Sequence, residues 1–98
     1  MLHIINKSPL CNGSLDSCLR IAGSGDILLI EDAVYAAAKG NAMEGRVRES
    51  MSRLKILVLL PDLEARGLAD RIIEGVLKVD YGGFVELVAA NKNCQSWL

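Results

Sequence analysis

The stretch DILLI, residues 26–30, decides how the chain folds. A strand with one wet face alternates apolar and polar residues, whereas DILLI runs through four aliphatic residues without a break, the pattern of a strand covered on both faces. KILVLL at 55–60 repeats the pattern. LHIIN at 2–6 reads as a first strand, leaving through KSPLCNG, where Pro9 and Gly13 mark turns. VLKVD at 76–80 reads as a fourth strand, and the tail CQSWL as an added edge strand.

Helical spacing fills the intervals. Ser14 stands where an N-cap belongs, and Leu15, Cys18, Leu19 and Ala22 follow on one helical face, ending at Gly23. Glu31 and Asp32 open a short alanine-rich helix, AVYAAAKG, stopped by Gly40. Met43, Val47, Met51 and Leu54 recur at helical spacing in NAMEGRVRESMSRL. Pro61 suits the first turn of a helix through PDLEARGLADRII, and GGFVELVAANK makes the last helix. Strands alternating with helices at this pitch predict an α/β fold: a parallel sheet with right-handed crossovers, covered on both faces.

Bulk properties narrow the function. Ninety-eight residues suffice for one domain, 1–98, and not for two. The apolar share is 51% and the mean hydropathy +0.28, high for a chain with so much surface, so part of that surface is expected to meet a partner. ILVLL at 56–60, the longest run of Ile, Leu and Val, has the length of a strand, far short of a membrane span. MLHIINKSP lacks the features of a secretory signal, so a cytoplasmic location with reduced thiols is expected. A net charge of −1 offers no bulk attraction to nucleic acid or to an anionic membrane.

Several motifs have a plain reading. The glycines of AGSGD follow a helix and precede a strand, the reverse of a phosphate loop, and read as a helix C-cap. VDYGGFVEL has the right order, but Asp80 opposes an anion and no cation follows, so it reads as a turn. Neither loop supports a flavodoxin-like nucleotide site. Glu31 and Asp32 read as solvated anions at a helix start or as a polar contact with a partner. Arg46, Arg48, Arg53 and Lys55 are interspersed with acids and read as a solvated face. His3, with no second ligand near it in sequence, reads as a packed or hydrogen-bonded core histidine. Trp97 reads equally as a docking anchor or as an edge-packed residue.

The three cysteines, Cys11, Cys18 and Cys94, form no pair or cluster with disulfide or zinc spacing, so each stands alone. Cys11 and Cys94 have no activating neighbour. Cys18 has two readings. The positive end of its helix favours a thiolate, and a helical projection sets it toward the edge of the apolar stripe beside Ile21, at a possible crevice. Its apolar neighbours and Asp16 favour an inert packed thiol.

Taken in order, LHIINKSP, SLDSCL, GDILLIEDAVYAA, LLPDLEARGL, VDYGGFVEL and QSWL resemble the TusB/DsrH family of small sulfur-relay subunits over essentially the whole chain. The resemblance implies a three-layer sandwich with a mainly parallel sheet of four or five strands, flanked by helices as in the DsrE, DsrF and DsrH proteins. It also implies a heterohexamer, two copies each of this chain and two sister subunits of the TusC/TusD or DsrE/DsrF kind. That assembly takes persulfide sulfur and hands it to a small carrier of the TusE/DsrC kind. The sulfur serves 2-thiolation of the tRNA wobble uridine, or sulfur oxidation. DsrH-type members carry a cysteine where Cys18 stands, which makes Cys18 the candidate persulfide site, although the principal sulfur-carrying cysteine of the family usually belongs to a sister. Thiolate attack on a persulfide requires neither metal nor cofactor, and none is expected.

Overall fold

A computed structural model describes residues 1–9 and 13–97. Five strands form one sheet in the order β4-β3-β2-β1-β5: β1 Leu2–Ile5, β2 Gly25–Leu29, β3 Leu54–Leu59, β4 Leu77–Val79 and β5 Cys94–Trp97. Every neighbouring pair is parallel. The helices are α1 Ser14–Ile21, α2 Glu44–Ser50, α3 Leu60–Ala65 and α4 Tyr81–Ala90, with a 3-10 helix at Glu31–Ala37.

This strand order fixes the layers. From β1 to β4 each step moves one place in the same direction, and right-handed crossovers then lay every intervening helix on one face. The return from β4 to β5 crosses the whole sheet in the opposite direction and lays α4 on the other. Packing follows that division. Ile5, Ile27, Leu29, Ile56 and Val58 lie in one core cluster with Leu15, Cys18 and Leu19 of α1, Val34 of the 3-10 helix, Val47 of α2 and Leu63 of α3. Leu2, Leu28 and Leu57, which point the other way along the same strands, meet Phe84 and Leu87 of α4. The two central runs are therefore buried on both sides, which is why DILLI and KILVLL do not alternate.

Elements depart from the sequence reading at several points. Gly13, not Ser14, occupies the cap position of α1, and Ser14 is its first residue. The helix stops at an extended Ala22 rather than in a glycine cap, and the glycine of AGSGD with a structural task is Gly25, at φ +116, where a Cβ would stand 2.5 Å from the Met1 carbonyl oxygen. The alanine-rich segment is a 3-10 helix, and Leu54 belongs to β3 rather than to the helix before it. Finally, α3 ends eight residues short of Ile73, because Gly67 takes φ +67. Leu68 N–H then reaches the Leu63 carbonyl at 3.0 Å and Gly67 N–H the Glu64 carbonyl at 3.2 Å, a Schellman closure.

Candidate functional site

Cys18 lies on the inner side of α1. It is 0% exposed within the main core cluster, while Ile21, its expected companion at the stripe edge, is 71% exposed. The helix thus turns Cys18 into the core and not toward a crevice. Burial pushes the thiol up to about 11, because a thiolate has no water or cation to stabilise it there. It is the fifth residue of the helix, beyond the first turn where a helix dipole acts strongly. Asp16, on the outer side, pairs with Arg20 at 3.1 Å and with Arg46. Cys94 is exposed on β5; Cys11 lies outside the described residues. Among the described residues, no group of His, Cys, Asp and Glu is placed to hold a metal ion.

Arg46, Arg48 and Arg53 are engaged in structural contacts. Arg53 donates to the Leu19 carbonyl at 2.7 Å and to the Ala22 carbonyl, closing the C-terminus of α1 with a cation from 31 and 34 residues away. Arg48 pairs with Glu44 across one helical turn at 2.9 Å, and that pair, with the Gly40 N–H, holds the Glu44 carboxyl below its ordinary value; the Gly40 hydrogen bond is the largest cause. None of these side chains forms a stripe with aromatics of the kind that grips nucleic acid.

At the C-terminal edge of the sheet, Glu31 and Asp32 look to α3. Glu31 adopts φ +50, and its N–H donates to Asp62 Oδ2 at 2.6 Å. Arg66 donates to Asp32 Oδ1 through Nη2 at 2.8 Å and Nε at 3.1 Å, which raises the guanidinium above its ordinary value. The Glu31 N–H and the Asp32 carboxylate tie the 3-10 helix to α3. In VDYGGFVEL, Asp80 accepts the Gly83 N–H at 2.7 Å and so fills the place an anion would take.

The outer surface of α4 is the feature that sequence reasoning did not locate. A helix apolar all round belongs in an interior, yet no residue of α4 is fully buried. Phe84 and Leu87 face the sheet; Tyr81 is 61% exposed and Val85 68%, with Val88 and Leu77 also exposed. Tyr81, Phe84, Val85, Val88 and Ala89 line a shallow apolar groove. One helix over a five-stranded sheet leaves that layer thin. The signal was present in FVELVAA, whose single charge cannot furnish a polar face.

The family described as DsrH like protein matches residues 7–94. Over 98 residues the chain is 37% identical to "Protein TusB" of Pectobacterium parmentieri, covering 99% of this chain and 100% of that one. It is 35% identical over the same span to "Protein TusB" of Escherichia coli O81 (strain ED1a), with the same coverage. Among solved structures, the ychN protein from E. coli superposes with a TM-score of 0.83 at 18% identity, covering 97% of each chain. MTH1491, a protein of unknown function from Methanobacterium thermoautotrophicum, superposes with a TM-score of 0.69 at 18% identity, covering 97% of this chain and 95% of that one. The three-layer, parallel-sheet architecture is thus shared with both.

Proposed function

The chain belongs to the DsrH family, and from that premise we propose that it is the docking subunit of a sulfur relay, completing a hetero-oligomer whose sister chains carry the sulfur. The observation that carries this reading is α4, whose apolar outer face has no covering layer among the described residues. Obligate interfaces resemble a core cut in half, and a helix without a polar side is half of such a core. The sisters are two related chains, two copies of each with two of this one. The acceptor is a small carrier protein, and the sulfur goes to 2-thiolation of the tRNA wobble uridine in the cytoplasm.

Cys18, the candidate persulfide site, packs in this reading and does not relay. A relay cysteine must present a thiolate to a docked donor. A thiol wholly inside the core and pushed up to about 11 presents neither sulfur nor charge.

The test is co-expression with the two sister chains, the mass of the assembly, then treatment with a persulfide donor and intact mass of each chain. The expected result is a hexamer gaining about 32 Da, one sulfur, on a sister and none on this chain. A stable adduct at Cys18 in the assembled complex would transfer the relay role to this chain. Loss of 2-thiouridine from tRNA on deleting the chain supports the tRNA pathway; unchanged 2-thiouridine with impaired sulfur oxidation assigns the other.

A further inference from the structure

His3 is a buried titratable group that the proposed relay does not use. It lies on β1, 6% exposed, and its Nδ1 accepts a hydrogen bond from Trp97 Nε1 at 3.1 Å. The rings are 6.1 Å apart between centroids and inclined at 48°. Trp97 sits beside Ile5 in the parallel register of β1 and β5, so its indole reaches back across the strands to His3. Its neighbour in the sheet is β1 alone, since β5 is the edge.

The chemistry of this pair is one-way. An indole nitrogen only donates, so the bond exists only while Nδ1 of His3 is unprotonated, with the imidazole proton on Nε2. Protonation puts a donor on each ring nitrogen and sets two N–H groups against one another. We propose that His3 and Trp97 form a proton-operated latch: neutral His3 holds the end of β5 against β1, and protonated His3 releases Trp97 and loosens the C-terminal strand.

The surroundings make His3 the controlling group. Its strand neighbours, Ile27 on β2 and Gln95 on β5, are uncharged. From α1 the buried side chains are Leu15, Cys18 and Leu19, the Cys18 thiol remaining neutral up to about 11. Asp16 and Arg20 of that helix are engaged with one another, and Asp16 with Arg46. Burial first, and the Met1 ammonium second, hold His3 below its ordinary 6.5, so the latch is shut at neutral pH and opens only as pH falls below that value.

The chain has one histidine and one tryptophan, so 15N labelling of both residue types reads each end of the latch without ambiguity, in the full chain alone or within an assembly. At neutral pH the imidazole is expected as the Nε2–H tautomer and the indole N–H to be protected. As pH is lowered from neutral through the His3 titration, the indole resonance is expected to move with the same midpoint and its hydrogen exchange to accelerate by about tenfold or more. Trp97→Phe removes the donor that favours neutral imidazole and should raise the His3 midpoint. His3→Asn keeps a neutral acceptor and should hold indole protection flat over the same range. An Nδ1–H tautomer at neutral pH, an indole signal indifferent to His3, or an unmoved midpoint in Trp97→Phe would each overturn the latch. The tautomer and midpoint are read in the wild-type chain, so failure of a variant to fold leaves the proposal open to refutation.

Discussion

Cys18 shows how one residue type takes opposite roles according to the side of a helix it occupies. The SLDSCL segment gives it both a helix start, which favours a thiolate, and an apolar stripe, which forbids one. Position on the wheel decides, and the structure turns it inward. This has a consequence for stability. Folding raises the thiol from 9.0 to about 11, so its contribution is complete below pH 9 and is lost as pH rises toward 11. The loss approaches about 3 kcal/mol when both states are ionised. Urea unfolding at pH 8 and pH 10.5 should therefore show a fall in the wild type that is smaller in Cys18→Ala. At neutral pH, Cys18→Ala is expected to cost about 1–2 kcal/mol through lost packing. Cys18→Ser should cost more, because it buries a hydroxyl in an apolar setting. His3 follows the same logic with the opposite sign. Its folded value lies below 6.5, so its contribution is present above 6.5 and is lost as pH falls through the folded value.

At the scale of elements, the strands were legible and the helix ends were not. DILLI and KILVLL disclosed β2 and β3 because burial on two faces leaves an unbroken apolar run. The end of α1 was hidden because Arg53, which caps it, comes from the approach to β3, and no local rule connects residues that far apart. The end of α3 is the exception, since Leu63, Gly67 and Leu68 have the spacing of a Schellman closure. The 3-10 form of 31–37 begins with Glu31 in the left-handed region, held by a carboxylate on another helix, which periodicity does not report. Arg53→Ala is accordingly expected to destabilise the chain by about 1 kcal/mol and to speed hydrogen exchange in the last turn of α1. Arg53→Lys, keeping the charge without the fork, should recover part of that loss. Asp80→Ala, which removes the cap of α4, should cost about 1 kcal/mol by thermal unfolding.

The whole molecule joins composition to assembly. An apolar share of 51% already exceeded what a small domain hides, but composition has no address, and only topology supplies one. Three crossovers stepping the same way place α1, the 3-10 helix, α2 and α3 on one face, leaving the reverse crossover to cover the other with α4 alone. The apolar excess therefore collects on the outside of that helix. If this is the seam to a sister chain, charges placed there should break association and spare the fold, because Val85 is 68% exposed and Val88 41%. Val85→Lys with Val88→Lys should leave circular dichroism unchanged and the unfolding free energy of the isolated chain within about 0.5 kcal/mol of the parent. In co-expression the same pair should reduce recovery of the assembly by native mass spectrometry, since a charge without a partner at an interface core costs several kcal/mol. A doubly substituted chain that still assembles in full would move the seam elsewhere. Phe84→Ala supplies the contrast: Phe84 packs on Leu2, Leu28 and Leu57 beneath the same helix, so its loss should lower the stability of the chain itself by about 2–4 kcal/mol. Surface and core on two sides of one helix are thereby separated by what each substitution spares.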